Sequence, residues 1–272
     1  MRASPQTSFG NEWTNVELKK EIAEYDRDGF ATIHGFLSKL EISALMESFT
    51  EVVDSVISRE DHPGAGQDTV SRYQNLRSEN PVSAGQVYDT MTTSVVLQST
   101  FLSEKMLAAV AKFIGHEPHE LSHFFRCMRL DPPGENPNEL GWHQDFQDAK
   151  YPDKNSRDGL TVWIPLTDVS AHLGSIEVCL GSHTERIGDV RVEGATEAKN
   201  SKRIVINPSE ANRFERKILE LRGGDAVFMN MNVLHRTFPA HQSATWRFTI
   251  LGRYFPFESK DLLFGSQRFS VS

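Results

Sequence analysis

Hydrophobic residues in the first part of the chain recur at helical spacing. Between residues 39 and 59 an apolar side chain returns every three or four positions, which predicts an amphipathic helix. Ser38 and Glu41 form the S-x-x-E pattern that is typical of a helix start. Similar patterns predict a helix over 103–114 and a shorter one over 15–28. The N-terminal part is therefore expected to be mainly helical.

The pattern changes beyond residue 120 to short runs rich in β-branched and aromatic residues. Gly-, Pro- and Asp-containing turns separate these runs, and such a density of short strands predicts a sandwich or barrel. We expect one domain, mainly β with flanking helices, in which residues 1–119 are helical with a substrate loop and residues 120–258 form the β core. A long polar insertion is expected around 184–202. The runs are HFFRCMRL, LTVWIPL, SIEVCL, RIVIN, AVFMN and ATWRFTILGRYF.

Residues 61–80 interrupt the helical half. DHPGAGQDT has the Gly, Pro and Asp content of a mobile loop, and the RYQNLRSENP that follows it is polar. This segment is predicted to be a lid over a site. Arg72, Tyr73 and Gln74 are candidate substrate contacts within it.

Composition and charge restrict the function classes. A chain of 272 residues with 38% hydrophobic and 24% charged residues fits one globular domain. The formal net charge of −8 argues against a nucleic-acid partner. No signal peptide or membrane span is evident, so a cytoplasmic protein without a membrane partner is expected. Only two cysteines are present, in strand-like runs, so a metal would be held by histidines and carboxylates.

GWHQDF carries the first candidate for chemistry. His143 and Asp145 are two positions apart and would point to the same face of an extended strand. His235 follows a turn and a strand in GGDAVFMNMNVLH and completes a set of two histidines and one carboxylate. Such a set leaves three octahedral positions open, which suits an Fe(II) ion that binds a co-substrate and O2. Zinc could bind the same three groups.

Arg247 lies twelve positions after His235, in the next predicted strand. A cation that points into a β core is costly unless it meets a carboxylate, and that strand contains no acidic residue. The distal carboxylate of 2-oxoglutarate would answer this need, with Thr249 adding a hydroxyl from the same face. Arg236 and Arg253 are alternative anchors.

These motifs, in this order, resemble the phytanoyl-CoA dioxygenase family of Fe(II)/2-oxoglutarate oxygenases. The resemblance covers most of residues 120–255, and Leu180 stands where the family often has proline. It implies a double-stranded β-helix, a cupin-like jelly roll, in which 2-oxoglutarate chelates the iron. Asp145 supplies the carboxylate that related halogenases lack, so oxygenation is favoured over halogenation. The motifs are WHQD at 142–145, LGSIEVCLGSH at 173–183, GGDAVFMNMNVLH at 223–235 and R-x-T at 247–249.

Further residues are candidate ligand contacts by position alone. Arg126 and Met128 share a face of one strand, and Thr161 and Trp163 share a face of another. For each pair a packing role is as plausible as a contact. The candidates are Arg126, Met128 and Thr161 for 2-oxoglutarate, and Trp142, Phe146 and Trp163 for the substrate.

The expected reaction is hydroxylation of an unactivated C–H in a small metabolite or natural-product intermediate, with O2 consumed and succinate and CO2 released. Desaturation, cyclisation or epimerisation would use the same residues. A cupin-like metal-dependent isomerase or hydrolase without 2-oxoglutarate, and a non-catalytic binding module, are the alternatives from other classes. The protein is expected to act as a monomer or homodimer.

Overall fold

A computed structural model describes residues 18–59, 68–133, 140–145, 159–185, 187, 190–193, 203–238 and 245–259. The helices are α1 (Lys19–Asp28), α2 (Lys39–Arg59), α3 (Thr69–Glu79), α4 (Pro81–Thr93), α5 (Val95–Phe101), α6 (Glu104–Ile114) and α7 (Pro208–Ala211). The strands are β1 (Phe30–Ile33), β2 (Leu121–Asp131), β3 (Leu160–Pro165), β4 (Ile176–Cys179), β5 (Val190–Glu193), β6 (Arg203–Ile206), β7 (Arg216–Ile218), β8 (Ala226–Asn230), β9 (His235–Thr237) and β10 (Arg247–Pro256).

The predicted helices are confirmed where the structure describes them. At the start of α2 the Ser38 hydroxyl accepts the Glu41 N–H at 3.3 Å, and the Glu41 carboxylate accepts the Ser38 N–H at 2.7 Å. This reciprocal pair satisfies two N–H groups that a helix start leaves without partners. Helix α6 ends at Gly115, whose φ of 79° is the left-handed conformation that favours glycine. No helix in the described ranges is long and apolar enough to cross a membrane.

The loop prediction for residues 61–80 is wrong over residues 69–79, because they form helix α3. Residues 60–67 lie outside the described part of the chain. Asp68 accepts the N–H groups of Val70 and Ser71 and so caps the helix. Tyr73 and Leu76 are buried. Two apolar anchors in a polar stretch gave too weak a pattern to reveal a helix in the sequence.

Antiparallel pairing builds a five-stranded sheet in the order β1-β8-β3-β10-β2. A three-stranded sheet has the order β7-β4-β9, and β5 pairs with β6. The strands in the described ranges thus form separate sheets and no closed barrel. The predicted mainly-β, cupin-like fold with flanking helices is confirmed. Strand β5 lies in the region expected to be a polar insertion, and β7 was not predicted.

The five-stranded sheet is covered on both faces. On one face the helices pack through rings such as Phe49, which meets Phe248 of β10 with 5.4 Å between ring centroids. On the other face Trp163 and Val227 cluster with Ile176 and Val178 of the smaller sheet. The space between the two sheets is therefore shielded from solvent by two hydrophobic layers, and the candidate site lies there.

Replacing Phe49 tests how strongly the helices hold the sheet. The side chain is fully buried and also contacts Tyr73, with 5.5 Å between ring centroids. Phe49→Ala is expected to lower the free energy of unfolding by about 3–5 kcal/mol, measured by urea denaturation. Leu40→Ala, in the same helix at a side chain that is 83% exposed, should change it by less than about 0.5 kcal/mol. Equal effects of the two changes would contradict this assignment of the core.

Candidate metal centre

Backbone pairing brings the two histidines together. The His143 N–H donates to the His235 carbonyl at 2.9 Å, and the His235 N–H donates to the His143 carbonyl at 3.0 Å. Residues that are directly opposite in an antiparallel pair project their side chains to the same side. The centroids of the two imidazole rings are accordingly 4.2 Å apart. Segment 140–145 thus lies beside β9 and extends the smaller sheet.

Asp145 joins the pair from the same segment. Its N–H donates to the Met231 carbonyl at 2.9 Å. Its Oδ1 lies 3.7 Å from His143 Nε2 and 3.9 Å from His235 Nε2. One potential ligand atom from each of the three residues lies within 4.8 Å of the others. Gln144 points away, as the two-residue strand period predicts, and its amide donates to the Asn232 carbonyl at 2.5 Å.

The hydrogen bonds of both imidazoles leave Nε2 available as a metal ligand. Nδ1 of His143 lies 2.8 Å from the Gly141 carbonyl, and Nδ1 of His235 lies 2.9 Å from the Val233 carbonyl. A carbonyl only accepts, so Nδ1 carries the proton and Nε2 carries the lone pair. Burial, aided by the neighbouring His235, lowers the pKa of His143 to about 3. His143 is therefore neutral at physiological pH, as a metal ligand must be.

Two donors hold the Asp145 carboxylate. The Thr161 hydroxyl donates to Oδ2 at 2.7 Å, and Arg253 Nη2 donates to Oδ1 at 2.7 Å. Burial alone would raise the pKa of Asp145, but the positive charge of Arg253, together with the neighbouring imidazoles and the Thr161 hydrogen bond, outweighs burial and holds that pKa well below its usual range. The carboxylate is therefore ionised and ready to bind a cation.

A cavity between the two sheets contains these groups. The triad lies on its wall with Thr161 and Arg253, and apolar side chains of both sheets form much of the remainder. The other lining residues are Arg129, Leu140, Trp163, Ile176, Met229, Thr237 and Leu251. Two neutral imidazoles and one carboxylate with open space beside them fit an Fe(II) ion that must also bind other ligands.

The phytanoyl-CoA dioxygenase (PhyH) family model matches residues 25–249 of the chain. The chain belongs to the phytanoyl-CoA dioxygenase family. The match spans both halves of the chain, from α1 to the start of β10.

Solved structures share the fold of this family member at low sequence identity. The carbocyclase SnoK from nogalamycin biosynthesis has a TM-score of 0.59 at 18% identity, over 96% of this chain and 94% of its own. EctD from S. alaskensis with bound Fe has a TM-score of 0.60 at 15% identity, over 92% and 80%. The epimerase SnoN, solved with Fe3+ and alpha ketoglutarate, has a TM-score of 0.57 at 17% identity, over 88% and 83%. No curated protein matches the chain significantly.

Arg247 was predicted to anchor 2-oxoglutarate. It is buried at the first position of β10, which we call the inner end of this strand. Its Nε and Nη2 donate to Asp131 Oδ2 at 3.1 and 2.6 Å, and its Nη1 donates to the Gly174 carbonyl. The argument that its charge needs a co-substrate carboxylate is therefore wrong. Asp131 of β2 lies directly opposite in the strand register, and strand neighbours cannot be read from the order of residues.

Thr249 lies two residues along the same face of β10. It is fully buried, and its hydroxyl oxygen has no hydrogen-bond partner within the described ranges. Buried hydroxyl groups are nearly always hydrogen-bonded. A buried hydroxyl group without a partner is therefore a candidate contact for a bound ligand. Thr249 and Arg247 together offer a hydroxyl and a guanidinium at the inner end of the β10 face that carries Arg253, which fits the carboxylate group of a bound acid.

The strand β2 face differs from the prediction. Met128 is fully buried in the core beneath the helices, opposite Ile250, and Arg126 lies opposite Gly252. Neither shares the face of Arg129, which lines the cavity, so the expectation that they touch the co-substrate is wrong. Strand β2 pairs in a register one residue away from the expected one. The side chains of Arg126 and Met128 therefore face the helices, and that of Arg129 faces the cavity.

The predicted substrate contacts of the helical half are also corrected. Arg72 forms an ion pair with Asp54. Tyr73 packs on Trp246 with 5.6 Å between ring centroids, and the Gln74 side chain accepts a hydrogen bond from that indole at 3.4 Å. None of the three lines the cavity. Helix α3 thus directs Tyr73 and Gln74 onto Trp246, just before β10, and Arg72 onto Asp54 of α2.

The remaining predicted contacts near the triad have different positions in the structure. Trp163 and Thr161 both line the cavity, and the Thr161 hydroxyl also donates to Asp145. Trp142 is buried in a separate cluster, with the Arg236 guanidinium 4.8 Å from its ring centroid, and does not line the cavity. Phe146 lies outside the described residues.

The sequence prediction missed two polar residues of the cavity wall, Thr237 and Arg129. Thr237 lies two positions after His235 on the same strand, a spacing that could have identified it. Arg129 gave no such signal, because its face depends on the register of β2 against β10. Arg253 was weighed only as an alternative anchor, yet it contacts the triad directly.

Thr161 provides a test of the metal centre. Thr161→Val removes the donor to Asp145 Oδ2 while it preserves the shape, so the affinity for Co(II) should fall about 10- to 100-fold, measured by isothermal titration calorimetry. Thr161→Ser keeps a hydroxyl and should remain close to wild type. His235→Ala should abolish binding, whereas His172→Ala, at an exposed position, should not. Unchanged affinity in Thr161→Val would show that this bond does not orient Asp145 in solution.

Proposed function

We propose that this protein is an Fe(II)- and 2-oxoglutarate-dependent dioxygenase that hydroxylates an unactivated C–H of a small metabolite or natural-product intermediate. Succinate and CO2 would be the co-products. The observation that carries this proposal is the His143–Asp145–His235 set, with both Nε2 atoms and one carboxylate oxygen turned toward one point. Membership of the phytanoyl-CoA dioxygenase family supports the same class of chemistry.

The three residues of this set would hold the metal, and bound iron with 2-oxoglutarate and O2 would supply the oxidising chemistry. Asp145 provides a full carboxylate ligand, which favours oxygenation over halogenation. The related structures include an epimerase, a carbocyclase and a monooxygenase. We favour hydroxylation as the simplest outcome, and desaturation, cyclisation and epimerisation are the outcomes that product analysis must separate.

The chain offers a candidate anchor for the distal carboxylate of 2-oxoglutarate on the face of β10 that carries Leu251 and Arg253. Those two residues line the cavity, whereas Arg247 and Thr249 lie beyond its wall. Arg247 and Thr249 share one face of β10, and Arg129 lies opposite Thr249 in the register and lines the cavity. The orphan hydroxyl of Thr249 supports this assignment more strongly than Arg247 does, because Asp131 already pairs with Arg247. Thr237, on the smaller sheet, offers a hydroxyl to the cavity itself.

Apolar residues would protect the reacting centre. Trp163 and Leu251 from the large sheet, Ile176 from the small sheet and Met229 line the cavity beside the triad. Their side chains exclude water from the space next to the metal and strengthen electrostatic contacts made inside it. A C–H bond held against such a wall faces the metal with little competing solvent.

Anaerobic protein with Fe(II) and 2-oxoglutarate is expected to develop a weak visible charge-transfer band. Arg247→Ala should abolish the band at moderate 2-oxoglutarate concentrations, because the co-substrate loses its distal anchor. Arg213→Ala, which removes an arginine that is 48% exposed, should retain it. An absent band in wild-type protein shown to contain iron would rule out this function. It would favour a metal-dependent isomerase or hydrolase in which Arg247 serves only as the partner of Asp131.

Replacing Thr249 tests the co-substrate anchor with little change in side-chain shape. Thr249→Val should raise KM for 2-oxoglutarate by about tenfold or more, because a hydrogen bond to a charged group contributes about 1.5–3 kcal/mol. The turnover rate should change little. Thr249→Ser keeps the hydroxyl and should behave as wild type. The measurement is succinate release in the presence of a compound that stimulates it, found by screening small metabolites, and equal KM values in all three proteins would contradict the anchor.

A further inference from the structure

Arg236 follows the metal ligand His235 in β9 but points to the other side of the smaller sheet. Successive side chains of a strand alternate between its faces, so His235 faces the cavity and Arg236 faces outward. Arg236 does not line the described part of the cavity, and its side chain is 29% exposed. Any influence of this arginine on the metal centre must therefore pass through other residues.

Two kinds of contact hold the Arg236 guanidinium on this outer face. Its Nε donates to Glu177 Oε2 at 2.6 Å, and its Nη2 lies 2.6 Å from the same oxygen. Its central carbon lies 4.8 Å from the ring centroid of Trp142 and 5.7 Å from that of Phe238. A guanidinium that is hydrogen-bonded through its edge can still pack on aromatic rings through its planar face. The side chain thus has a defined position with Trp142 as its neighbour.

Glu177, Arg236 and Trp142, which we call the outer clamp, cross three adjacent segments. Glu177 of β4 lies opposite Arg236 of β9 in the strand register. Trp142 belongs to segment 140–145, which pairs with β9 through His143. The outer clamp therefore ties the segment that carries two of the three metal ligands to the smaller sheet.

Segment 140–145 depends on this support because its pairing with β9 is short. An isolated bridge and one further backbone hydrogen bond join the two, rather than a continuous ladder. A rotation of the segment about its own axis would move His143 and Asp145 together, because both project from one face. Trp142 is 3% exposed and projects from the opposite face, so its ring resists that rotation while Arg236 holds it. The orientation of the ligands thus depends on a contact on the far side of the sheet.

We propose that Arg236 is a positioning residue for the metal centre: with Glu177 it holds the Trp142 ring behind segment 140–145 and thereby sets the orientation of His143 and Asp145. In this role Arg236 does not touch the metal. The inference rests on the metal centre of the proposed function and extends that centre to the outer face of the smaller sheet.

Arg236→Met tests the outer clamp, because it keeps most of the side-chain length and removes the guanidinium. The affinity for Co(II), measured by isothermal titration calorimetry well below the melting temperature, should fall about tenfold. The visible spectrum of bound Co(II) should change as well, because it reports the coordination geometry. Arg236→Lys retains a cation beside Trp142 and should restore the spectrum and bring the affinity to within about threefold of wild type.

Arg213→Met is the matched control. The Arg213 guanidinium lies 5.4 Å from the Phe214 ring centroid and pairs with two carboxylates, but within the described ranges it makes no ion pair or ring contact with segment 140–145. This variant should bind Co(II) as wild type does. A merely structural Arg236 would lower the melting temperature of the metal-free protein and leave the Co(II) affinity and spectrum of the folded protein unchanged. That result for Arg236→Met would overturn the proposal.

A double-mutant cycle tests whether Arg236 acts through Trp142. Trp142→Leu alone should also weaken Co(II) binding about tenfold. Adding Arg236→Met to it should cause less than about a twofold further loss, because both changes remove the same contact. Losses that multiply would overturn the action through the ring. If Arg236→Met does not fold, Glu177→Gln, which weakens the same contact, takes its place in the cycle.

The outcome is separable from that of the proposed function. Co(II) binding requires no 2-oxoglutarate, so iron-loaded wild-type protein without the charge-transfer band would refute the proposed function and leave the outer clamp standing. Unchanged Co(II) affinity and spectrum in Arg236→Met would refute the outer clamp and leave the proposed function standing.

Discussion

The reciprocal backbone hydrogen bonds between His143 and His235 are the constraint on which the centre depends. They join two segments that are far apart in the chain and place both imidazoles on the same side of the strand pair. The smaller sheet holds this pair in place, because Val178 of β4 lies opposite His235. Ser182 adds to the support, since its hydroxyl accepts the N–H of Leu234 at 2.9 Å. The LGSH turn thereby fixes the strand that carries the second histidine.

Strand β10 carries two arginines, Arg247 and Arg253, on the face that includes Leu251 of the cavity wall. The outer arginine, Arg253, pairs with Asp145, and the inner one, Arg247, pairs with Asp131. Buried ion pairs contribute little net stability, because removing two charges from water offsets most of their attraction. Their value here lies in geometry: each guanidinium is held at a defined depth. Asp145 is kept ionised before a metal arrives, and a charged ligand entering the cavity meets groups already in position.

The helical layer acts on the site from behind the large sheet. Tyr73 and Gln74 of α3 contact Trp246, the residue that precedes Arg247 at the start of β10. Residues that resembled substrate contacts therefore brace the strand that carries the arginines. These contacts help to position the start of β10, which carries the proposed co-substrate anchor.

The sequence alone determined the class of fold, the helices over 39–59 and 103–114, and the three residues of the metal centre. Those features follow from local periodicity and from the two-residue strand period that puts His143 and Asp145 on one face. Only the tertiary structure decided the partner of Arg247, the exchange of faces on β2, and the contact of Arg253 with the triad. Strand neighbours and register depend on which distant segments pair, and no local pattern in a single chain records that choice.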